Sequence, residues 1–249
     1  MTDVSKSAAR IAGMFDAIAT RYDFLNHLLS AGIDRRWRRR AIQSLALTGR
    51  ERVLDLCTGT ADLAIAAMRA RPPASRVVGI DFAGAMLRVG REKIARARLG
   101  DRVALVRGDA TRIPAAGASV DAITIAFGIR NVDDVALACA EMRRVLKPGG
   151  RLAILEFAMP TTPGLSAVYR WYLQRVLPRV GRAVSRHDAA YGYLPASIGA
   201  FTAPEEFVKI LRQAGFEGVR AVRLTFGSVI LYTGRRDRDS GFEIGDSSR

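Results

Sequence analysis

The sequence predicts an α/β fold, a parallel sheet wrapped by helices, and three observations lead there. From Arg52 onward, short β-branched runs alternate with amphipathic stretches, as strands alternate with crossover helices in parallel sheets. The first such run ends in a glycine turn and the second in an acid, the arrangement of nucleotide-binding units. At 249 residues the chain can bury a core without disulfide or metal staples.

In chain order, Ala8 to Leu47 comprises three helical stretches: around Met14 and Ile18, from Leu25 to Leu29, and from Asp34 to Leu45 with Asp34 as N-cap. Buried parallel strands are short and continuously apolar. That assigns Val53 to Cys57, Val77 to Asp81, Val103 to Arg107, Ala122 to Phe127 and Leu152 to Phe157 as strands. Between them, Asp62 to Arg71, Ala83 to Arg98 and Asp133 to Leu146 carry apolar residues at helical spacing. Pro148, Gly149 and Gly150 stop the last of these helices and turn the chain into its next strand. Met159 to Thr202 is broken by Pro160, Pro163, Pro178 and Pro195, and is dense in aromatics. Pro204 to Ala214 reads as a helix stopped by Gly215, and Val219 to Thr225 and Ser228 to Thr233 as two closing strands around Gly227. Arg235 to Arg249 mixes charge, Ser and Gly and is expected to be a disordered tail.

Composition narrows the function classes. With 49% hydrophobic and 25% charged residues the chain is neither disordered, collagen-like nor a disulfide scaffold. Its net charge is +15, and all of its 39 cations except Lys6, Lys93, Lys147 and Lys209 are arginine. Such an excess suits nucleic acid or an anionic membrane surface, and it equally suits a GC-rich genome that writes Arg for Lys. Cys57, Cys139, His27 and His187 form no zinc-binding spacing, so no metal is expected, and two isolated cysteines point to a reducing cytosol. No signal peptide or membrane-spanning run is readable. The expected location is cytoplasmic, with peripheral attachment at the inner face of the membrane open.

Four sites carry chemistry. In Asp55-Leu56-Cys57-Thr58-Gly59-Thr60-Ala61-Asp62 a strand runs through a turn into a helix, where backbone amides and the helix N-terminus suit an anionic group of a bound ligand and Gly59 permits close approach. Asp81 follows Gly59 by 22 residues, the place of a ribose hydroxyl acceptor. A dinucleotide needs three glycines where this turn offers one, so an adenosine-bearing ligand without phosphates fits better than NAD or FAD. Asp109 and Ala110 end the third strand, where Asp109 is placed to accept from an adenine amino group. In Phe127-Gly128-Ile129-Arg130-Asn131-Val132-Asp133-Asp134, Arg130 and Asn131 are expected to face a substrate, the rigid arginine fork suiting a phenolate or enolate oxygen. Alternatively Arg130 pairs with Asp133 or Asp134 and Asn131 caps the following helix.

From Met14 to Thr233 the chain resembles the S-adenosylmethionine-dependent C-methyltransferases of menaquinone and ubiquinone biosynthesis. The resemblance rests on Met14-Phe15-Asp16…Tyr22-Asp23-Phe24-Leu25-Asn26, on Ser30…Gly32-Ile33-Asp34-Arg35-Arg36-Trp37, on the Asp55 to Asp62 turn, on Phe127 to Asn131, and on Arg144 to Leu152 with Leu155-Glu156-Phe157. The turn and the Lys147 to Gly150 stretch are common to many methyltransferases, whereas the Tyr22 to Trp37 segment and the Phe127 to Asn131 loop are more specific. The family often has Ser where this chain has Ala126, Gly where it has Ala61, and Ser where it has Ala158.

The resemblance implies a Rossmann-like class I methyltransferase with a seven-stranded, mostly parallel sheet whose last strand is antiparallel. Residues 48–234 would form that domain, and the helices of 1–47 with the helical insert of about 159–202 would cover the substrate. It implies that Gly59, Thr60, Asp81, Asp109 and Ala110 contact S-adenosyl-L-methionine and that Arg130 and Asn131 are catalytic. The implied reaction is C-methylation of a lipid-soluble polyprenyl quinol, demethylmenaquinol first. A ubiquinone-pathway benzoquinol is the alternative, and after it another small molecule or RNA; no nucleic-acid partner is expected, because no separate RNA-binding module is present. An oligomer is compatible with the sequence. Because such quinols live in the bilayer, Arg35, Arg36, Arg38, Arg39 and Arg40 around Trp37, with Arg170, Trp171, Arg175, Arg179, Arg182 and Arg186, are expected to form a basic surface near anionic lipid.

Overall fold

The computed structural model describes residues 8–30, 32–176, 179 and 188–238. Helices α1 (Ala8–Leu29) and α2 (Asp34–Ser44) lead into the alternation β1 (Arg52–Leu56), α3 (Asp62–Met68), β2 (Arg76–Asp81), α4 (Gly84–Arg96), β3 (Val103–Arg107), β4 (Val120–Ala126), α5 (Val135–Val145) and β5 (Leu146–Phe157). Then come α6 (Pro163–Trp171), α7 (Asp188–Ala200), α8 (Pro204–Gln213), β6 (Phe216–Leu224) and β7 (Val229–Arg236).

The seven strands form one sheet in the order β3-β2-β1-β4-β5-β7-β6. β7 runs antiparallel to both β5 and β6, and β1 to β5 pair in parallel. The sheet and its antiparallel final strand agree with the expectation. Strand order reverses between β1 and β4, so the turns after β1, β2 and β4 open at one edge, the crevice where open α/β sheets bind ligands.

Burial follows position in the sheet. In β1 every residue after Arg52 is buried, because helices cover both faces of a central parallel strand. The edge strands β3 and β6 are largely exposed, and β6 places Glu217, Arg220 and Arg223 along its rim, charges that oppose edge-to-edge pairing. One core lies under α5 and α8, where Cys139, Met142, Phe207 and Leu211 meet Ile123 and Ile230; the other lies under α2, α3 and α4, where Trp37, Ile42, Leu63 and Ile94 meet Val53 and Leu155. Both cysteines are free thiols. Among the described residues no helix is long and apolar enough to cross a membrane.

Several sequence expectations need correction. The two stretches around Met14 and from Leu25 are one continuous helix, α1. Asp34 does not cap α2 but is its first residue, with Ile33 at the cap position; its carboxylate accepts from Ser30 Oγ at 2.9 Å and from Arg38 instead. Lys147 to Gly150 does not precede β5 but bulges out within it: β4 pairs with Leu146 at Val120 and with Arg151 at Ala122. β7 extends through Arg236, so Arg235 and Arg236 belong to the sheet and not to a tail. Residues 239–249 lie outside the described residues, as do Arg182 and Arg186. In the expected basic surface, Arg35, Arg36, Arg39 and Arg40 are exposed, but Trp37 and Arg38 are each 7% exposed and turn inward. Trp37 packs edge-on against Phe127 and Phe157, and its indole N–H donates to Thr225 Oγ1 at 2.8 Å.

Phe207 is fully buried and packs edge-on against Tyr232, with ring centroids 4.8 Å apart. Phe207→Ala leaves a cavity that the sheet cannot close, and urea unfolding should show a loss of about 3–5 kcal/mol.

Candidate active site

The turn after β1 is wound through left-handed backbone. Cys57, Gly59 and Ala61 have φ of 51°, 55° and 67°. A side chain on Gly59 would meet nothing within 4 Å, so the space beside this turn is open. Asp81, at the end of β2, fixes the turn: Oδ2 accepts the Gly59 amide at 2.8 Å and Oδ1 the Ala83 amide at 2.9 Å. Each oxygen keeps a further lone pair for a ligand hydroxyl. Burial pushes the Asp81 carboxyl up, and the Ala83 and Gly59 amides oppose that. Gly128, after β4, lies so close to the turn that an added Cβ would collide with Cys57.

Asp55 supports the turn from below. It is 1% exposed and accepts from the Thr58 hydroxyl at 2.6 Å and the Thr124 hydroxyl at 2.7 Å. Burial outweighs these bonds and pushes its pKa to about 6. Two adjoining cavities of about 30 Å³ each open at these strand ends, sharing Cys57, Gly59, Ala126 and Phe127. Asp81 and Asn131 line one of them together with Phe82 and Met86.

Arg130 and Asn131 sit in a 3-10 turn after β4. Arg130 is 4% exposed, and its guanidinium donates to Glu156 Oε1 at 2.8 Å, to Ser197 Oγ at 3.2 Å and to the Phe127 carbonyl, while lying 5.5 Å above the Phe157 ring. Glu156 is fully buried and also accepts the Arg130 and Phe157 amides. The alternative pairing of Arg130 with Asp133 or Asp134 is therefore not what forms. Asp134, rather than Asn131, caps α5 by accepting the Leu137 amide at 2.9 Å. Asn131 Oδ1 accepts the Tyr193 hydroxyl at 3.0 Å. Ser197 and Tyr193 both come from α7, so the insert closes on this turn.

Of the remaining expected residues, Thr60 lines one of these cavities and Asp109 and Ala110 lie apart. Thr60 is buried at the mouth of the turn, and its hydroxyl donates to Asp23 of α1 at 2.5 Å. Asp109 is exposed, with its carboxylate accepting the amide and hydroxyl of Thr111 at 2.8 and 2.9 Å. Ala110 is buried in the core beside Ile113. Neither lines the two cavities.

Sequence reasoning missed Glu156, Tyr193 and Ser197, and also Asp16 and Asp23 of α1. Asp16 accepts the Ala85 amide at 2.7 Å, and Lys93 joins Asp23 at 2.5 Å, Thr60 at 3.1 Å and Asp62. A signal was present: Lys93 is one of four lysines in an arginine-rich chain, and a compact ammonium with three rotatable donors suits three acceptors better than a planar fork.

A carboxylate whose native pKa is raised favours folding when protonated and loses that contribution as pH rises through the native value. Asp55→Asn removes the titration. Its unfolding free energy should gain on wild type by up to about 3 kcal/mol between about pH 4 and pH 7, measured by denaturation across that range.

The model of the ubiE/COQ5 methyltransferase family matches residues 1–236. A relative from Geobacter sp. (strain M21), named ubiquinone/menaquinone biosynthesis C-methyltransferase UbiE, is 44% identical over 95% of this chain and all of its own length. A relative from Thermus thermophilus, named demethylmenaquinone methyltransferase, is 48% identical over 90% of this chain and all of its own. A solved structure from Thermotoga maritima, described as an S-adenosylmethionine-dependent methyltransferase and possible histamine N-methyltransferase, superposes with a TM-score of 0.62 at 18% identity, over 90% of this chain and 99% of that one; it shares the fold. Sheet order, the glycine turn, the Arg130-Asn131 loop and these relatives converge: the chain belongs to the ubiE/COQ5 methyltransferase family and uses S-adenosylmethionine as methyl donor.

Proposed function

We propose that this chain methylates a ring carbon of a polyprenyl quinol, with demethylmenaquinol as the substrate. The observation that carries the reading is the buried turn in which Asn131 reaches the strand-end cavity beside Asp81 while Glu156 fixes the adjacent Arg130. Relatives at 44% and 48% identity are named for quinone biosynthesis. The choice of a naphthoquinol rests on the name of the second.

The cofactor's residues fit its chemistry. Open space beside Gly59, the free lone pairs of Asp81 and apolar Phe82 and Met86 suit an adenosyl group. Gly59, Thr60 and Asp81 would hold it, with Asp109 and Ala110 at its far end. When bound, it supplies an electrophilic sulfonium methyl.

The chain's own work is to make a ring carbon nucleophilic and hold it in line. A quinol hydroxyl that loses its proton concentrates negative charge on the neighbouring carbon. The Tyr193 hydroxyl on Oδ1 orients the Asn131 side chain, and its N–H₂, with no acceptor among the described residues, can donate to that oxygen. Arg130, neutralised by its buried pairing with Glu156, holds the turn that presents this amide. The hydroxyl proton leaves to solvent water, and after methyl transfer a second water takes the ring proton while the oxygen regains one, so the net release is a single proton. Alignment of the two reactants supplies on the order of several kcal/mol of the barrier.

A lipid-borne quinol has to be met at a bilayer surface. The exposed arginines of α2 and exposed Val168, Trp171 and Phe226 support peripheral contact at the cytoplasmic face.

Incubation with S-adenosylmethionine and demethylmenaquinol should add the mass of one methylene to the quinol; methylation of the benzoquinol alone would replace the substrate assignment, and methylation of neither would overturn it. Asn131→Ala should lower turnover about 10²- to 10³-fold, the effect of losing an oxyanion donor, with cofactor affinity by calorimetry unchanged. Arg130→Ala should fall at least as far, and should also destabilise the protein by about 3–5 kcal/mol because it strands Glu156. Near-normal turnover in Asn131→Ala removes that residue from the reaction.

A further inference from the structure

On the outer side of the helical layer, a groove between α2 and α3 encloses a cavity of about 750 Å³, within the range of small-molecule sites. Its lining joins two chemistries. Ile42, Leu47, Ile65, Ala70 and Pro72 give it an apolar floor, and Arg35, Arg38, Arg39, Arg69 and Arg71 stand around it. The lining holds one carboxylate, Asp62, which is already shared by Lys93 and Arg38.

The five arginines are not equally committed. Arg38 is buried between Asp34 and Asp62, and Arg35 donates to His27 Nε2 at 2.8 Å. Arg39, Arg69 and Arg71 are exposed, and no carboxylate among the described residues pairs with them. Three uncompensated guanidiniums on a shared apolar floor repel one another. An occupant that relieves this repulsion is anionic, and one that also covers the floor carries a hydrocarbon chain.

We propose that this groove binds one anionic phospholipid of the bilayer. Arg39, Arg69 and Arg71 hold its phosphate, and the first part of an acyl chain lies on Ile42, Ile65 and Ala70. Arg38 and Asp62 also line the cavity at the end of β1, so the lipid site and the methyl-transfer crevice share a wall. The site deepens the peripheral-membrane reading. It is independent of which ring is methylated, because binding is read without cofactor or quinol.

Sedimentation of the full chain with phosphatidylcholine vesicles, with and without phosphatidylglycerol, tests it. Binding is expected only with the anionic lipid. The triple variant Arg39→Gln, Arg69→Gln, Arg71→Gln should bind at least about tenfold more weakly. Neutralising Arg88, Arg91 and Arg212, three exposed arginines elsewhere, should leave binding within about twofold. Equal loss from both triple variants, or none from the first, overturns the site. Calorimetry with dihexanoylphosphatidylglycerol and with inorganic phosphate separates lipid from free anion: the lipid should bind more tightly, and equal affinity overturns the lipid assignment. Ala70→Trp keeps every charge but fills the groove, so it should abolish binding of the short-chain lipid; unchanged affinity overturns the acyl seat.

Discussion

The buried ion pair of Arg130 and Glu156 is the constraint on which the active-site half of the molecule depends. Glu156 ends β5 inside the sheet, where an unpaired carboxylate would be untenable. It is held there by the guanidinium of Arg130 and by two backbone amides. Those bonds set the 3-10 turn after β4, and that turn places Asn131 at the cavity. The same guanidinium reaches Ser197, and with the Tyr193 hydroxyl on Asn131 it anchors α7 to the turn after β4. Aromatic rings seal the arrangement: Phe127 stacks on Phe157 at 4.3 Å, and Trp37 covers both.

A second carboxylate organises the cofactor side by a different route. Asp81 pairs with no cation among the described residues but takes the amides of two turns, binding the end of β1 to the start of α4. Asp55 beneath it is held by the Thr58 and Thr124 hydroxyls and the Ala64 amide, and burial outweighs them and raises its proton affinity. The crevice thus has carboxylates at β1 and β2 and, after β4, the side-chain amide of Asn131 beside the neutral Arg130–Glu156 pair. In the reaction proposed above, the sulfonium would face these carboxylates and the developing oxyanion that amide.

The net charge of +15 has gained a location. Arg130 and Arg38 are internal and paired, and edge arginines protect the sheet rim. Arg39 of α2 and Arg69 and Arg71 after α3, which pair with no carboxylate among the described residues, gather instead around one apolar groove. The grouping in space, more than the total, separates a site from a genomic bias toward arginine.

The strands, the crossover helices and the glycine turn were legible in the sequence because they depend on local periodicity and on contacts between neighbours in the chain. The Asp81 position was legible for the same reason, as spacing along one β-α-β unit. Local patterning also assigned Asp34 to a cap and Trp37 with Arg38 to a surface, and there it failed, because burial by β5 and α3 is not a local property. Nor does the sequence show that Arg130 chooses Glu156, 26 residues away, over Asp133 and Asp134 beside it. Low solvent access at the end of β5 makes that distant partner the stronger one. By itself the sequence determined the sheet, its ligand-binding edge and the chemistry available there. Only the tertiary structure decided which charges meet, because pairing free energy depends on burial, and burial exists only once the helices have closed over the sheet.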